Sequence, residues 1–310
     1  MSRIYEALKK IERDRVAALA SELGVSLPVD AVPAPEGEVE SVAGTETKVL
    51  TQTVAKSPKI YSSLDDLSKH CVHNTWHSHP KSTVFFDATS TALGAEQFRT
   101  LRSRLYQLRG NHQLQTLLIT SAVPGEGKTF VTSNLAQAIV CQPNRSALII
   151  DADLRRPYLH IPLGAPAAPG LTDYLQGNAD EASVIQHGQI GNLYFIPAGK
   201  EVANPSELLM NGRLKTLLDR VGPLFDWVIL DSPPCLLVAD ARVIADLCDG
   251  ILLVVRAAST EAGAAQRACQ ELQGRRVLGA VLNGVEGGSY YSGTYYAYAD
   301  KDRSMKSKAQ

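Results

Sequence analysis

Apolar residues in this chain are grouped into short runs of about five, and the runs recur at intervals with helical spacing between them. Thr116–Thr120, Ala147–Asp151, Leu193–Pro197, Trp227–Asp231, Ile251–Arg256 and Val277–Asn283 are Leu-rich or β-branched and carry apolar residues on both faces. Runs apolar on both faces and joined by helices predict a mainly parallel sheet covered on both sides. Phe130, Val131, Leu135 and Ile139 fall at helical intervals just after the first run. Leu93, Phe98, Leu101, Leu105 and Leu108 do the same within Ala92–Leu108. In sheets of this kind ligand sites lie at the C-terminal ends of the strands.

The pattern is different outside that block. Residues 1–24 place Ile4, Leu8 and Ile11 on one face, with Glu6, Lys9, Lys10 and Arg13 on the other, which predicts an amphipathic helix. That helix is either a plain surface helix or a docking element. Residues 25–84 are rich in Pro, Glu, Ser, Thr and Val without sustained periodicity, and read as a disordered linker. Residues 85–286 form the expected α/β domain. Residues 287–310 are Gly/Ser-rich and crowd Tyr290, Tyr291, Tyr295, Tyr296 and Tyr298 together. Lacking alternating apolar partners, this tail is expected to be flexible and exposed. It is either a sticky low-complexity end or a set of phosphoryl acceptors.

With 310 residues, the chain is long enough for a full core. Its formal net charge of −1 offers no basic excess and argues against a nucleic-acid partner. An odd count of five cysteines, most inside apolar stretches, points to a reducing, cytoplasmic compartment. No apolar run approaches the roughly 20 residues needed to cross a bilayer. Cys71, His73, His77 and His79 hold metal-ligand residue types within nine positions. Their surroundings offer nothing to orient the imidazoles, so no metal site is expected there.

Chemistry concentrates at three strand ends. After Thr116–Thr120 comes Ser121–Thr129, SAVPGEGKT, a Gly-rich turn ending in Gly-Lys-Thr before a helix. Such a turn lets backbone N–H groups wrap a phosphate chain, with Lys128 reaching the outer phosphates and Thr129 able to hold Mg²⁺. Pro124, Gly125, Glu126, Gly127, Lys128, Thr129 and Phe130 are the candidate nucleotide contacts. Ala122 stands where the usual pattern has its first glycine. LIIDADLRRP puts Asp151 and Asp153 two apart at a strand end, where Mg²⁺ is the natural cation to relieve two close carboxylates. Arg155 and Arg156 could pair with phosphate or with a neighbour's Glu. VILDSPP ends a further strand in Asp231, the position that orients Mg²⁺ or its water. Each carboxylate also has a plain reading as a strand-end cap. Asn283 ends the last strand, where its amide could read a base edge or simply serve a turn. The fold class is therefore an α/β phosphate-loop NTPase with a doubly wound, mainly parallel sheet and helices on both faces, preceded by a helical and largely disordered region.

AVPGEGKT, LIIDADLRRP, VILDSPP, NPSELL at Asn204–Leu209 and the tyrosine-rich tail together resemble the bacterial tyrosine kinases of the capsule and exopolysaccharide type. The opening MSRIYEALKK is similar to exopolysaccharide-operon members of that family. The resemblance implies an ATP- and Mg²⁺-dependent autokinase that phosphorylates its tail in trans and controls polysaccharide polymerisation and export. It implies catalytic roles for Lys128, Asp151, Asp153 and Asp231, and metal binding by Thr129, Asp151 and Asp231. Asp153 would assist the attacking hydroxyl as base or through the metal. Glu96, Arg99 and Arg102 match an ExxRxxR oligomerisation motif, share one helix face by their spacing, and imply a homo-oligomer, in the family a ring. A transmembrane chain-length-determinant protein is the implied activator, placing the chain at the inner face of the plasma membrane through that partner. Two other classes share the site. A ParA/MinD-like partitioning ATPase would carry a signature Lys where this chain has Val123, and a non-catalytic ATP-dependent scaffold would not need all four catalytic residues.

Overall fold

The computed structural model describes residues 61–78, 83–85, 93–110 and 113–285. The expected helix at 1–24, most of the linker, His79 and the five tail tyrosines lie outside the described residues. In chain order the elements begin with α1 (Leu64–Ser68), β1 (Val72–His73), α2 (Leu93–Arg109), β2 (Thr116–Ser121) and α3 (Lys128–Val140). They continue with β3 (Ser146–Asp151), the short helices α4 (His160–Leu163), α5 (Leu171–Leu175) and α6 (Glu181–Val184), then β4 (Gln186–His187) and β5 (Asn192–Ile196). The last are α7 (Pro205–Met210), α8 (Arg213–Val221), β6 (Trp227–Asp231), α9 (Asp240–Ala245), β7 (Gly250–Arg256), α10 (Ala262–Glu271) and β8 (Val277–Asn283).

The strands form one eight-stranded sheet in the order β1-β4-β5-β3-β6-β2-β7-β8. Every pairing is parallel except β4 with β5. β3 and β6, in the middle of the sheet, are buried along their whole length. That explains why their sequences do not alternate: a strand covered on both faces has no solvent side to be polar on. Apolar side chains from the two faces build two clusters, one around Leu148, Ile150, Val228 and Leu230, the other around Ile119, Ile149, Ile229 and Phe195. α3 packs between the sheet and α2, and for that reason is buried all round from Val131 to Ile139. The Gly-rich loop is thereby fastened at both ends to fully packed elements.

The structure corrects the linker at its C-terminal end. Residues 61–78 form α1 and β1, and Tyr61, Leu67, Cys71 and Trp76 are buried. β1 pairs with β4 through Val72–Gln186 and His73–His187. Elements of five and two residues are too short to develop a recognisable period, so only their tertiary contacts reveal them.

Candidate active site

β2 and α3 hold the Gly-rich loop, and its backbone explains the residue choices. Gly125 and Gly127 have φ of 81° and 91°, which favour glycine. Gly127 has a second reason: a Cβ there would lie 2.0 Å from Asn283 Nδ2. Ala122 is buried and is absent from the positive-φ positions, so nothing at that point of the turn demands glycine. The loop is braced from outside. The Glu126 carboxylate, 2% exposed, accepts from Val123 N–H at 2.7 Å and from the Thr260 hydroxyl. Arg256 Nη1 donates to Gly125 O at 3.0 Å, and Asn283 Nδ2 donates to Glu126 O at 2.9 Å. Asn283 therefore sits against the loop itself. Thr260 and Arg256 carried no sequence signal beyond Arg256 ending an apolar run.

Lys128 opens α3, and its Nζ lies 3.2 Å from Asp153 Oδ2. One residue on, Thr129 Oγ1 donates to Asp231 Oδ2 at 2.6 Å. The Thr132 hydroxyl reaches Asp231 Oδ1 at 3.3 Å and Lys128 O at 3.0 Å. Asp151 and Asp231 are register partners on adjacent β3 and β6. Asp151 Oδ2 accepts amides from Tyr158 at 3.1 Å and Leu159 at 3.0 Å, and Oδ1 accepts from Asp153 N–H at 3.3 Å. All three sequence-predicted carboxylates and Lys128 thus converge.

The electrostatics are strained in a way that calls for a cation. Burial pushes Asp231 up to about 6, with Lys128, Thr129 and Thr132 pulling the other way. Burial and the adjacent Asp231 charge raise Asp151 well above the ordinary carboxylate range. For Lys128, burial acts to lower proton affinity, but the Asp231, Asp153 and Asp151 charges outweigh it and the ammonium is held more firmly than usual.

Other candidates are placed differently from their sequence reading. Arg155 forks onto Asp240 at 2.7 and 3.2 Å and donates to Ser206 Oγ at 2.8 Å, an intrachain role that its sequence reading did not include. Arg156 is exposed, and its N–H donates to Asp153 Oδ1 at 3.1 Å. On α2, Glu96 and Arg99 form an exposed ion pair at 2.5 Å, but Arg102 leaves that face and donates to Ala138 O on α3 at 2.5 Å. The cause is the dense α2–α3 packing, which brings Arg102 to the carbonyl end of α3, where a cation is favoured. His73 Nε2 sits 2.7 Å from Ser68 O and 4.0 Å from Cys71 Sγ, and among the described residues no group of three or more His, Cys, Asp and Glu side chains, the three converging aspartates included, is arranged to hold a metal ion by itself. No helix among them is long and apolar enough to cross a membrane.

Comparison with protein-family models finds no match. Comparison with individual proteins is more telling. The chain is 34% identical over 211 residues to the tyrosine-protein kinase YwqD of Bacillus subtilis, covering 67% of this chain and 89% of that one. It is 34% identical over 214 residues to the tyrosine-protein kinase CpsD of Streptococcus agalactiae, covering 68% and 92%. The chain belongs to the bacterial tyrosine-protein kinases. To the tyrosine-protein kinase etk of Escherichia coli the kinase is 38% identical over 220 residues, 70% of this chain but only 30% of that protein's length. The solved kinase domain of Escherichia coli ETK matches it at 38% identity with a TM-score of 0.59, covering 65% of this chain and 80% of the other. The chimerical protein CapA2B2 matches at 26% identity with a TM-score of 0.62, covering 71% and 98%.

Proposed function

We propose that this kinase transfers the γ-phosphoryl group of ATP to the tyrosines of its own C-terminal tail, in trans, and through assembly and phosphorylation governs polysaccharide export with a transmembrane activator. The observation that carries the reading is the convergence of Lys128, Thr129, Asp153 and Asp231 at the mouth of the Gly-rich loop. The tail and activator parts rest on Tyr290–Tyr298 and on the resemblance of the sequence motifs.

The backbone N–H groups of 125–129 cradle the phosphate chain, with α3's N-terminus favouring negative charge. Lys128, kept protonated by three carboxylates, faces the charge that spreads over the equatorial oxygens as the phosphoryl group leaves ADP. The new bond is from the phenolic oxygen to phosphorus, the bond broken is to the β-phosphate oxygen, and the phenolic proton passes to Asp153. Thr129, Asp231 and Asp151 offer the hard oxygen donors that suit Mg²⁺, and two buried carboxylates with raised proton affinity fit a site completed by a divalent cation. When bound, Mg²⁺ supplies neutralisation of phosphate charge. Glu96 and Arg99 offer the exposed charged face through which one copy meets the next.

The test is phosphopeptide mass spectrometry of wild type and Lys128→Met. Phosphate on Tyr290–Tyr298 in the wild type alone is the expected result. ATP turnover with an unmodified tail would favour a partitioning-type ATPase or a scaffold.

A further inference from the structure

We propose that residues 61–78 are a positioning strap that fixes the loop holding Asp151, so that releasing the strap slows phosphoryl transfer without unfolding the sheet. This rests on the reading of Asp151 as a site carboxylate.

The segment is seated like a peptide docked on a sheet edge, with main-chain pairing for affinity and one pocketed aromatic for register. Val72 N–H donates to Ile185 O at 3.0 Å and Asn74 N–H to His187 O at 3.1 Å. Trp76, 2% exposed, stands edge-on to Phe195 with ring centres 6.2 Å apart. Its indole covers Gly188, where a Cβ would lie 2.3 Å from the ring, so that glycine makes the pocket. The Gln189 side chain clasps both sides of the Trp76 backbone, accepting from its N–H at 2.9 Å and donating to its carbonyl.

Beyond Trp76 the strap crosses onto α4. His77 N–H donates to Gly164 O at 3.2 Å, and Ser78 Oγ to Leu163 O at 3.4 Å. Gly164, at φ 62°, is so close that a Cβ would lie 2.1 Å from His77 O. The other end of the same four-residue helix is the Tyr158–Leu159 pair, whose amides hold Asp151 Oδ2. A single short helix is therefore gripped by the strap at one end and grips a site carboxylate with the other. Movement at Gly164 has little slack in which to dissipate, because Leu159 and Leu163 are fully buried.

The experiment uses the full chain and the variants Gln189→Ala, Trp76→Phe and Trp76→Ala, with Asp151→Asn in parallel. Hydrogen exchange is followed in 70–77 and 158–165, and transfer of γ-phosphate to the tail gives kcat and the KM for ATP. Gln189→Ala removes only the clasp and leaves no core cavity, so it keeps the test valid if Trp76→Ala fails to fold. Expected are faster exchange in both segments and a kcat lowered by about ten-fold or more, with KM for ATP within about two-fold, since small displacements of positioning groups act on the chemical step. Trp76→Phe should restore most of both. Faster exchange at 70–77 with none at 158–165, or an unchanged kcat beside an inactive Asp151→Asn, would overturn the strap. An active Asp151→Asn would instead overturn the reading of the carboxylate, and with it the kinetic part of the proposal. That result is visible without any strap variant, so the two failures are told apart.

Discussion

At the scale of single residues, Asp231 shows a group kept at a cost to the folded chain. Its folded proton affinity, raised from 3.8 to about 6, means protonation favours the folded state. That contribution is present below about pH 4 and is lost as pH rises through about 6. Asp231→Asn should therefore stabilise the nucleotide-free protein by about 1–3 kcal/mol at pH 8 and by about half as much at pH 5, measured by urea unfolding. The asparagine oxygen can still accept from Thr129, while Thr132 has Lys128 O as its alternative acceptor. Activity should fall by about a hundred-fold or more, because a carboxylate proposed to hold the charge-neutralising Mg²⁺ is lost. A second prediction concerns Glu126. Replacement by Ala strands Val123 N–H and the Thr260 hydroxyl, and should raise the KM for ATP by about ten-fold, whereas Gln, which can accept from one and donate to the other, should change it far less. Lys128, Thr129, Asp153 and Asp231 were legible in the sequence because a turn and two strand ends fix their spacing. Thr260 and Arg256 were not: more than 130 residues separate them from Glu126 and Gly125, and only the β2–β7 register brings them together.

Among the elements, α3 and α2 show how far periodicity carries. Both helices were visible from their apolar intervals, but α3's burial on every side was not, because it depends on α2 covering the face turned from the sheet. Leu135→Ala should cost about 2–5 kcal/mol of unfolding free energy, as expected where a fully buried side chain leaves a cavity. The ExxRxxR face divides on the same ground. Glu96→Ala should leave stability within about 0.5 kcal/mol, since its ion pair is exposed, and should weaken self-association in sedimentation. Arg102→Ala should itself lower stability by about 1 kcal/mol through loss of the Ala138 carbonyl bond. Unchanged sedimentation of Glu96→Ala would remove that face from the assembly reading.

For the whole molecule, the α/β class and its mainly parallel sheet followed from the unalternating strands, while the outer edge of the sheet did not. β1 and β4 have two residues each, and the apolar anchors Leu67 and Trp76 are isolated among polar neighbours, so no window of sequence shows them as one unit. A chain beginning at residue 80 should accordingly be less stable than one beginning at residue 58, with the loss of Trp76 burial alone costing about 3 kcal/mol. Equal denaturation midpoints would contradict the buried edge described above.

The contact between Asn283 and the Gly-rich loop has a consequence for molecularity. β8 ends on that loop, and Tyr290 follows Asn283 by seven positions, a contour of about 24 Å when fully extended. On the proposal that Tyr290–Tyr298 are the acceptors, each tail is covalently joined to the subunit that holds the loop, so transfer within one copy would proceed at an effective concentration set by the tether, on the order of millimolar for a short one. Dilution separates the two regimes. Transfer between copies slows per molecule in proportion as the protein is diluted, and transfer along the tether does not. A proportional fall is expected of the proposed transfer in trans, and a rate per molecule that does not change on dilution would instead assign each tail to its own subunit.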